Sequence, residues 1–191
     1  MSAYQQILDF WFLPETDPGH GQSRPEWFRK DAAFDAVIGE RFGGMIERAL
    51  AGGFLEWDGD PHGALARILV LDQFTRNVFR DTPRAFAGDA LAQAAARSVV
   101  DGGRDRLLAP AQRRFIYMPF EHAEDLALQE RSVALFNALA TEPGMTDVAQ
   151  YAVRHHDIIA RFGRFPHRNR ILGRDSTPEE IEFLKQAGSG F

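Results

Sequence analysis

The 191-residue chain contains no cysteine. Disulfides, thiolate metal sites and cysteine nucleophiles are thereby excluded. No apolar run approaches the ~20 residues a helix needs to span a bilayer. The opening Met1-Ser2-Ala3-Tyr4-Gln5-Gln6 also lacks the basic stretch of a secretory signal. Basic charge is in deficit: 22 Lys and Arg stand against 27 Asp and Glu, for a formal net charge of −5. That balance supplies no global attraction to nucleic acid or to anionic membrane. Period-two alternation long enough to define a strand is missing as well. What remains is the expectation of a soluble, cytoplasmic, all-α protein, folded as a single domain over residues 1–191.

Aromatic residues are plentiful, with 16 Phe and 3 Trp. Many sit beside charges, as in Asp9-Phe10-Trp11-Phe12, Trp27-Phe28-Arg29-Lys30 and Arg161-Phe162-Gly163-Arg164-Phe165. Aromatic core filling, with cationic neighbours stacked on the ring faces, is the plain reading of such pairs.

Helical periodicity recurs along the whole chain. The spacing predicts a first helix to about Phe12, halted by Pro14, then a Pro- and Gly-rich loop to Arg24. A second helix is predicted from about Asp31 to Leu50, closed by Gly52-Gly53, and a third that begins after Pro61 and extends to about Phe79. Thr82-Pro83 reads as the start of a fourth, ending at Gly102-Gly103. A short helix follows Pro110, and Pro119 is expected to open a long one reaching Ala140. Another runs from Asp147 to Phe162, and the last starts at Thr177-Pro178-Glu179-Glu180, a capping-box pattern, and ends at Gly188. Helices of this length joined by short turns point to antiparallel pairs, stacked as a solenoid or bundle.

Three segments concentrate polar chemistry. On the third helix Asp72, Gln73, Arg76, Asn77 and Arg80 share one stripe, and Asp72 lies four residues before Arg76, the favourable order for an ion pair. The second segment is Glu121-His122-Ala123-Glu124-Asp125. With a helix starting at Pro119, its carboxylates suit the helix dipole and His122 is biased toward its neutral form. His122, Asp125 and Gln129 then share a face, so His122 with Glu124 or Asp125 is the candidate acid–base pair. The third segment, Arg161 to Arg174, holds five arginines and His167 with no acid among them. Planar guanidinium groups on a loop shaped by Gly and Pro suit a carboxylate or phosphate. The same arginines suit neutralisation of Asp72, Glu121, Glu124 and Asp125, and either role brings the segments together.

Leu71-Asp72-Gln73-Phe74-Thr75-Arg76-Asn77-Val78-Phe79-Arg80, Pro119-Phe120-Glu121-His122-Ala123-Glu124 and Arg161-Phe162-Gly163-Arg164-Phe165-Pro166-His167-Arg168-Asn169 resemble the bacterial domain-of-unknown-function family nine-twenty-four. Ile7-Leu8-Asp9-Phe10-Trp11-Phe12 and Trp27-Phe28 match it too. The resemblance covers nearly the whole chain. It implies a tetratricopeptide-like right-handed array of helix pairs, and it implies no activity. Ala123 departs from the family's usual Ser after the His, so a serine nucleophile there is excluded.

The leading expectation is a binding module for an anionic small molecule or a peptide carboxylate. Its ligand-binding candidates are Asp72, Arg76, Asn77, His122, Arg164, His167, Arg168 and Asn169. A hydrolase with His122, Glu124 or Asp125 as catalytic candidates, and a purely structural ion network, stand beside it. His155 and Glu121 would join a metal-dependent version, yet no metal-ligand spacing such as His-Glu-x-x-His occurs, so no metal and no cofactor are expected.

Overall fold

The computed structural model describes residues 2–190. Among them the elements are all helical. They run α1 (Ala3–Phe12), α2 (Ala32–Leu50), α3 (Pro61–Ile68), α4 (Thr75–Val78), α5 (Asp89–Asp101), α6 (Pro110–Glu121), α7 (Leu126–Leu139), α8 (Val148–Phe162), α9 (Asn169–Leu172) and α10 (Pro178–Leu184). Short 3-10 turns fill several of the connections.

The predicted stop and start signals account for most of these boundaries. The Asp31 side chain accepts from the amides of Ala33 and Phe34 and so caps α2. Asp60 does the same for His62 at the head of α3, with Pro61 at the first helical position. Gly163 ends α8 in the left-handed conformation, φ 69°. The capping box of Thr177 and Glu180 opens α10 as anticipated, although that helix stops at Leu184, before Gly188.

Two boundaries differ from the sequence reading. Thr82-Pro83 begins a 3-10 turn, Pro83–Phe86, and α5 starts only at Asp89 after Gly88. Pro119 does not open a helix: it lies inside α6, which continues to Glu121. The chain then turns at His122 and restarts at α7, where the Asp125 carboxylate accepts from the Leu128 amide. Gln129 secures the turn, its Nε2 donating to the carbonyls of Glu121 and Ala123 at 2.6 and 2.8 Å. Those carbonyls have no intrahelical partner at a helix end, so one buried amide replaces the missing donors.

α3 and α4 are two ends of one continuous helix, joined by a π-helical stretch, Leu69–Phe74, in which every residue is buried. This rod is central. It packs against α1, α2, α5 and α6. Around it lies a core that includes Ile7, Trp11, Phe42, Leu65, Phe74, Phe115, Phe120 and Phe136. Trp11 and Phe74 lie 5.6 Å apart, Trp27 and Phe115 5.0 Å. A smaller cluster of Ile158, Ile159 and Phe165 holds the C-terminal elements together. α6, α7 and α8 pack in succession, α6 on α7 and α7 on α8. None of the helices is long and apolar enough to cross a membrane, among the described residues.

Candidate functional site

The site grows from the π-helical stretch. Asp72 sits there, 1% exposed, and an ionised carboxylate at that depth must be met by donors. Three arrive. Gln73 Nε2 donates at 2.6 Å, Arg76 Nη1 lies 3.1 Å away, and His122 Nδ1 lies 2.7 Å from Oδ1. A carboxylate only accepts, so the Nδ1 of His122 carries the hydrogen and a neutral ring leaves Nε2 with a free lone pair. Burial alone would raise the Asp72 carboxyl. The charges of Arg76 and His122, with the hydrogen bonds from His122 and Gln73, overcome that and hold it well below the ordinary carboxylate range.

Arg76 reaches across to α5. Its two terminal nitrogens donate to the two oxygens of Asp89, at 2.8 and 3.1 Å, in a bidentate fork. Asp89 stands there because Gly88 lets the head of α5 come against the central rod. A Cβ on Gly88 would lie 2.1 Å from the carbonyl oxygen of Leu71. Asp89 also faces Arg168, whose Nη1 is 3.6 Å from Oδ2.

Arg168 is held differently from the other arginines. It is 6% exposed, and its guanidinium lies between two rings, 4.7 Å from the Phe86 centroid and 4.4 Å from that of Phe165. Among the described residues no acceptor is hydrogen-bonded to that guanidinium, and its Nε is buried without a partner. Burial, then the neighbouring Arg76 charge, lowers its pKa to about 10, which still leaves it charged at neutral pH.

Two histidines flank Phe165, and a third, His122, lies beside one of them. The rings of His122 and His155 are 6.2 Å apart, with His155 5.6 Å and His167 5.6 Å from Phe165. His155 Nδ1 is 2.9 Å from Glu121 Oε1. Burial lowers the pKa of His122, opposed by Asp72 and reinforced by Arg76. The sequence reading reached the same direction by placing His122 at a helix N-terminus. In fact it caps the C-terminus of α6, where the dipole favours the cation, and desolvation is what keeps the ring neutral. His167 is lowered to about 4, first by burial and then by Arg168 and His155.

Of the eight ligand-binding candidates, Asp72, Arg76, His122, His167 and Arg168 converge here. Asn77 turns to the far side of the rod and donates to Asp35 at 2.7 Å, beside the Arg80–Asp35 pair. Arg164 and Asn169 belong to the C-terminal elements, where both bond Glu180. Asp125 is spent on capping α7, and the expected His122–Asp125 face does not form, because the two lie on either side of a break between helices. Glu124 accepts from Arg174 at 2.6 and 2.9 Å and from the Phe165 amide at 2.8 Å, which ties the second segment to the third. Asp89 and Phe86 escaped the sequence reading. An acid in the first turn of a helix looks the same whether it serves the dipole or grips an arginine from another helix. Among the described residues, no three His, Asp or Glu side chains are grouped to hold a metal ion.

The neutral histidines make stability depend on pH in a definite direction. Their folded-state pKa values lie below the unfolded value of about 6.5. Below pH ~6.5 the unfolded rings take up protons that the folded rings refuse, so stability falls with acidification, for His167 until pH 4 is neared. The limiting slope is about 1.4 kcal/mol per pH unit for each ring. Urea titrations at pH 7, 6 and 5 are expected to show this loss, and His167→Gln to flatten it. An unchanged slope in that variant would remove His167 from the account.

Residues 7–188 match the family described as "Bacterial protein of unknown function (DUF924)", and the chain belongs to that family. It is similar to a solved structure titled as that of a protein of unknown function, ATU0120, from Agrobacterium tumefaciens. The two are 39% identical, the match covers 95% of this chain and 96% of that one, and the TM-score is 0.83. No curated protein matches the chain.

Proposed function

We propose that this chain is a single-domain, tetratricopeptide-like binding module in which Arg168 receives one carboxylate, from a small molecule or from a peptide. The observation that carries the reading is the buried guanidinium of Arg168, set 4.7 and 4.4 Å from the Phe86 and Phe165 ring centroids with no hydrogen-bonded acceptor among the described residues. A cation taken out of water and left without such an acceptor is costly, and a bound carboxylate offsets that cost. Its planar fork, fixed by the rings, prescribes a planar two-oxygen ligand.

The charge balance selects a ligand of low charge. Arg76 is committed to Asp72 and Asp89, and Arg174 to Glu124, so of these three arginines it is Arg168 that has capacity to spare. One such cation suits a monoanionic group and not a polyanion such as nucleic acid. The packing of α6 on α7 and α7 on α8 supports a stacked arrangement of helix pairs. A wholly structural ion network accounts for Asp72, Arg76 and Asp89 but leaves Arg168 Nε without a partner.

Thermal-shift measurements with acetate, adipate and acetylated dipeptides test the reading, with the corresponding amides as controls. Acids are expected to raise the melting temperature, amides not, and Arg168→Gln to abolish the difference while remaining folded. No shift from any acid, together with strong destabilisation of Arg168→Gln, would make Arg168 a structural tie to Asp89 and end the proposal.

A further inference from the structure

We infer that the site is also hydrolytic: His122 acts as a general base that activates water against an ester whose acid portion carries the carboxylate gripped by Arg168. This rests on the carboxylate-binding reading above.

The geometry that points to it is the orientation of the His122 ring. Nδ1 is tied to the buried Asp72 carboxylate at 2.7 Å, which fixes both the tautomer and the ring plane. Nε2 makes no hydrogen bond to any described residue, and the side chain keeps 12% of its surface exposed, which leaves that nitrogen available to a water molecule. A base that is oriented by a carboxylate and open on its other nitrogen is what proton abstraction from water requires. Asp72 is the positioning residue and His122 the catalytic one.

Water is the nucleophile this site can use. Thr75, the hydroxyl residue on the same rod, donates back to the Leu71 carbonyl at 2.8 Å, and residue 123 after the histidine is alanine. In the attacking step a water O–H bond breaks, its proton passes to His122 Nε2, and the water oxygen bonds to the ester carbonyl carbon. The carbonyl electron pair moves onto oxygen. In the second step that pair re-forms the carbonyl, the bond to the leaving oxygen breaks, and the leaving oxygen takes the proton from His122. The products are an acid and an alcohol, and no other reactant is needed.

The groups facing the ring are Asp72 and Arg76 from the central rod, Glu121 from α6, His155 from α8, and His167. Burial outweighs the neighbouring acids and lowers the His122 pKa, so activity is expected to rise from acid pH with a midpoint below the ordinary histidine value of about 6.5.

The test uses mono-4-nitrophenyl adipate, which carries a carboxylate, against the uncharged 4-nitrophenyl hexanoate. The adipate ester is expected to be hydrolysed with at least a tenfold higher kcat/KM. His122→Gln is expected to lower kcat about 100-fold or more with KM little changed, the usual scale of a lost general base. Arg168→Gln should act on KM. Asp72→Asn should move the pH profile, and because that variant risks misfolding, the decision rests on His122→Gln, checked for an intact melting transition and intact adipate binding. Adipate binding without hydrolysis above buffer, or hydrolysis indifferent to His122→Gln, overturns the hydrolytic inference and leaves binding standing. Absence of adipate binding overturns the binding reading, and the hydrolytic one with it.

Discussion

Asp72→Ala is expected to remove about 3 kcal/mol or more of folding stability, the scale of breaking a buried ion pair from one side. The carboxylate is the acceptor for Gln73, Arg76 and His122 together, at 2.6, 3.1 and 2.7 Å. Its loss strands a charged guanidinium and two neutral donors in a dry interior, and a void follows. Asp89 keeps Arg76 partly satisfied, which limits the damage. The check is the urea-unfolding free energy of the variant near pH 7. A loss under about 1 kcal/mol would mean that water or a rearranged Asp89 replaces the carboxylate readily.

Gly88→Ala is expected to be as harmful, for a different reason. The new methyl would stand 2.1 Å from the Leu71 carbonyl oxygen and 2.9 Å from its carbon, and both are main-chain atoms of the central rod. No side-chain rotation relieves such a clash. α5 must move away, at the upper end of the ~1–3 kcal/mol typical of overpacking or beyond. The displacement also pulls Asp89 from Arg76 and Arg168, so the variant should lose carboxylate binding along with stability. A melting temperature within a degree or two of the parent would show that the helix head shifts freely.

The features legible in the sequence are those decided within a few residues. Thr177 caps α10 through the predicted capping box, α2 starts at the predicted place with Asp31 as its cap, and the Asp72–Arg76 pair forms at the expected spacing. The all-helical class follows from the same local periodicity. Features decided by the packing of distant segments were not legible. Pro119 was read as a helix start because a proline cannot donate the usual hydrogen bond. The surrounding Phe115, Ile116 and Phe120 are buried in the core, and that burial carries α6 past the proline. The early break before α5 arises from the approach of Gly88 to Leu71, a contact between residues far apart in sequence. For the site, the five residues that converge were legible by type. Asp89 was not, since its partner lies 13 positions away on another helix.

The π-helical stretch Leu69–Phe74 has a consequence for how this rod tolerates changes of length. A π turn holds more residues than an α turn, and each residue of an α-helix advances the next by about 100°. Deleting one residue there would return the rod to uninterrupted α geometry and leave the apolar register of Pro61–Ile68 in place. Because the wider turn already absorbs the extra residue, Thr75–Val78 would stay close to its present phase, with Arg76 still facing Asp89 and Asn77 still facing Asp35. The wide turn thus works as a buffer of length: it takes up one residue and keeps the two halves of one helix in phase, the first indexed to the hydrophobic core and the second to its ionic partners. A chain shortened there would keep its helix content by circular dichroism and both sets of ionic contacts, whereas the same deletion within Pro61–Ile68 would turn the two parts of the rod by about 100° relative to each other.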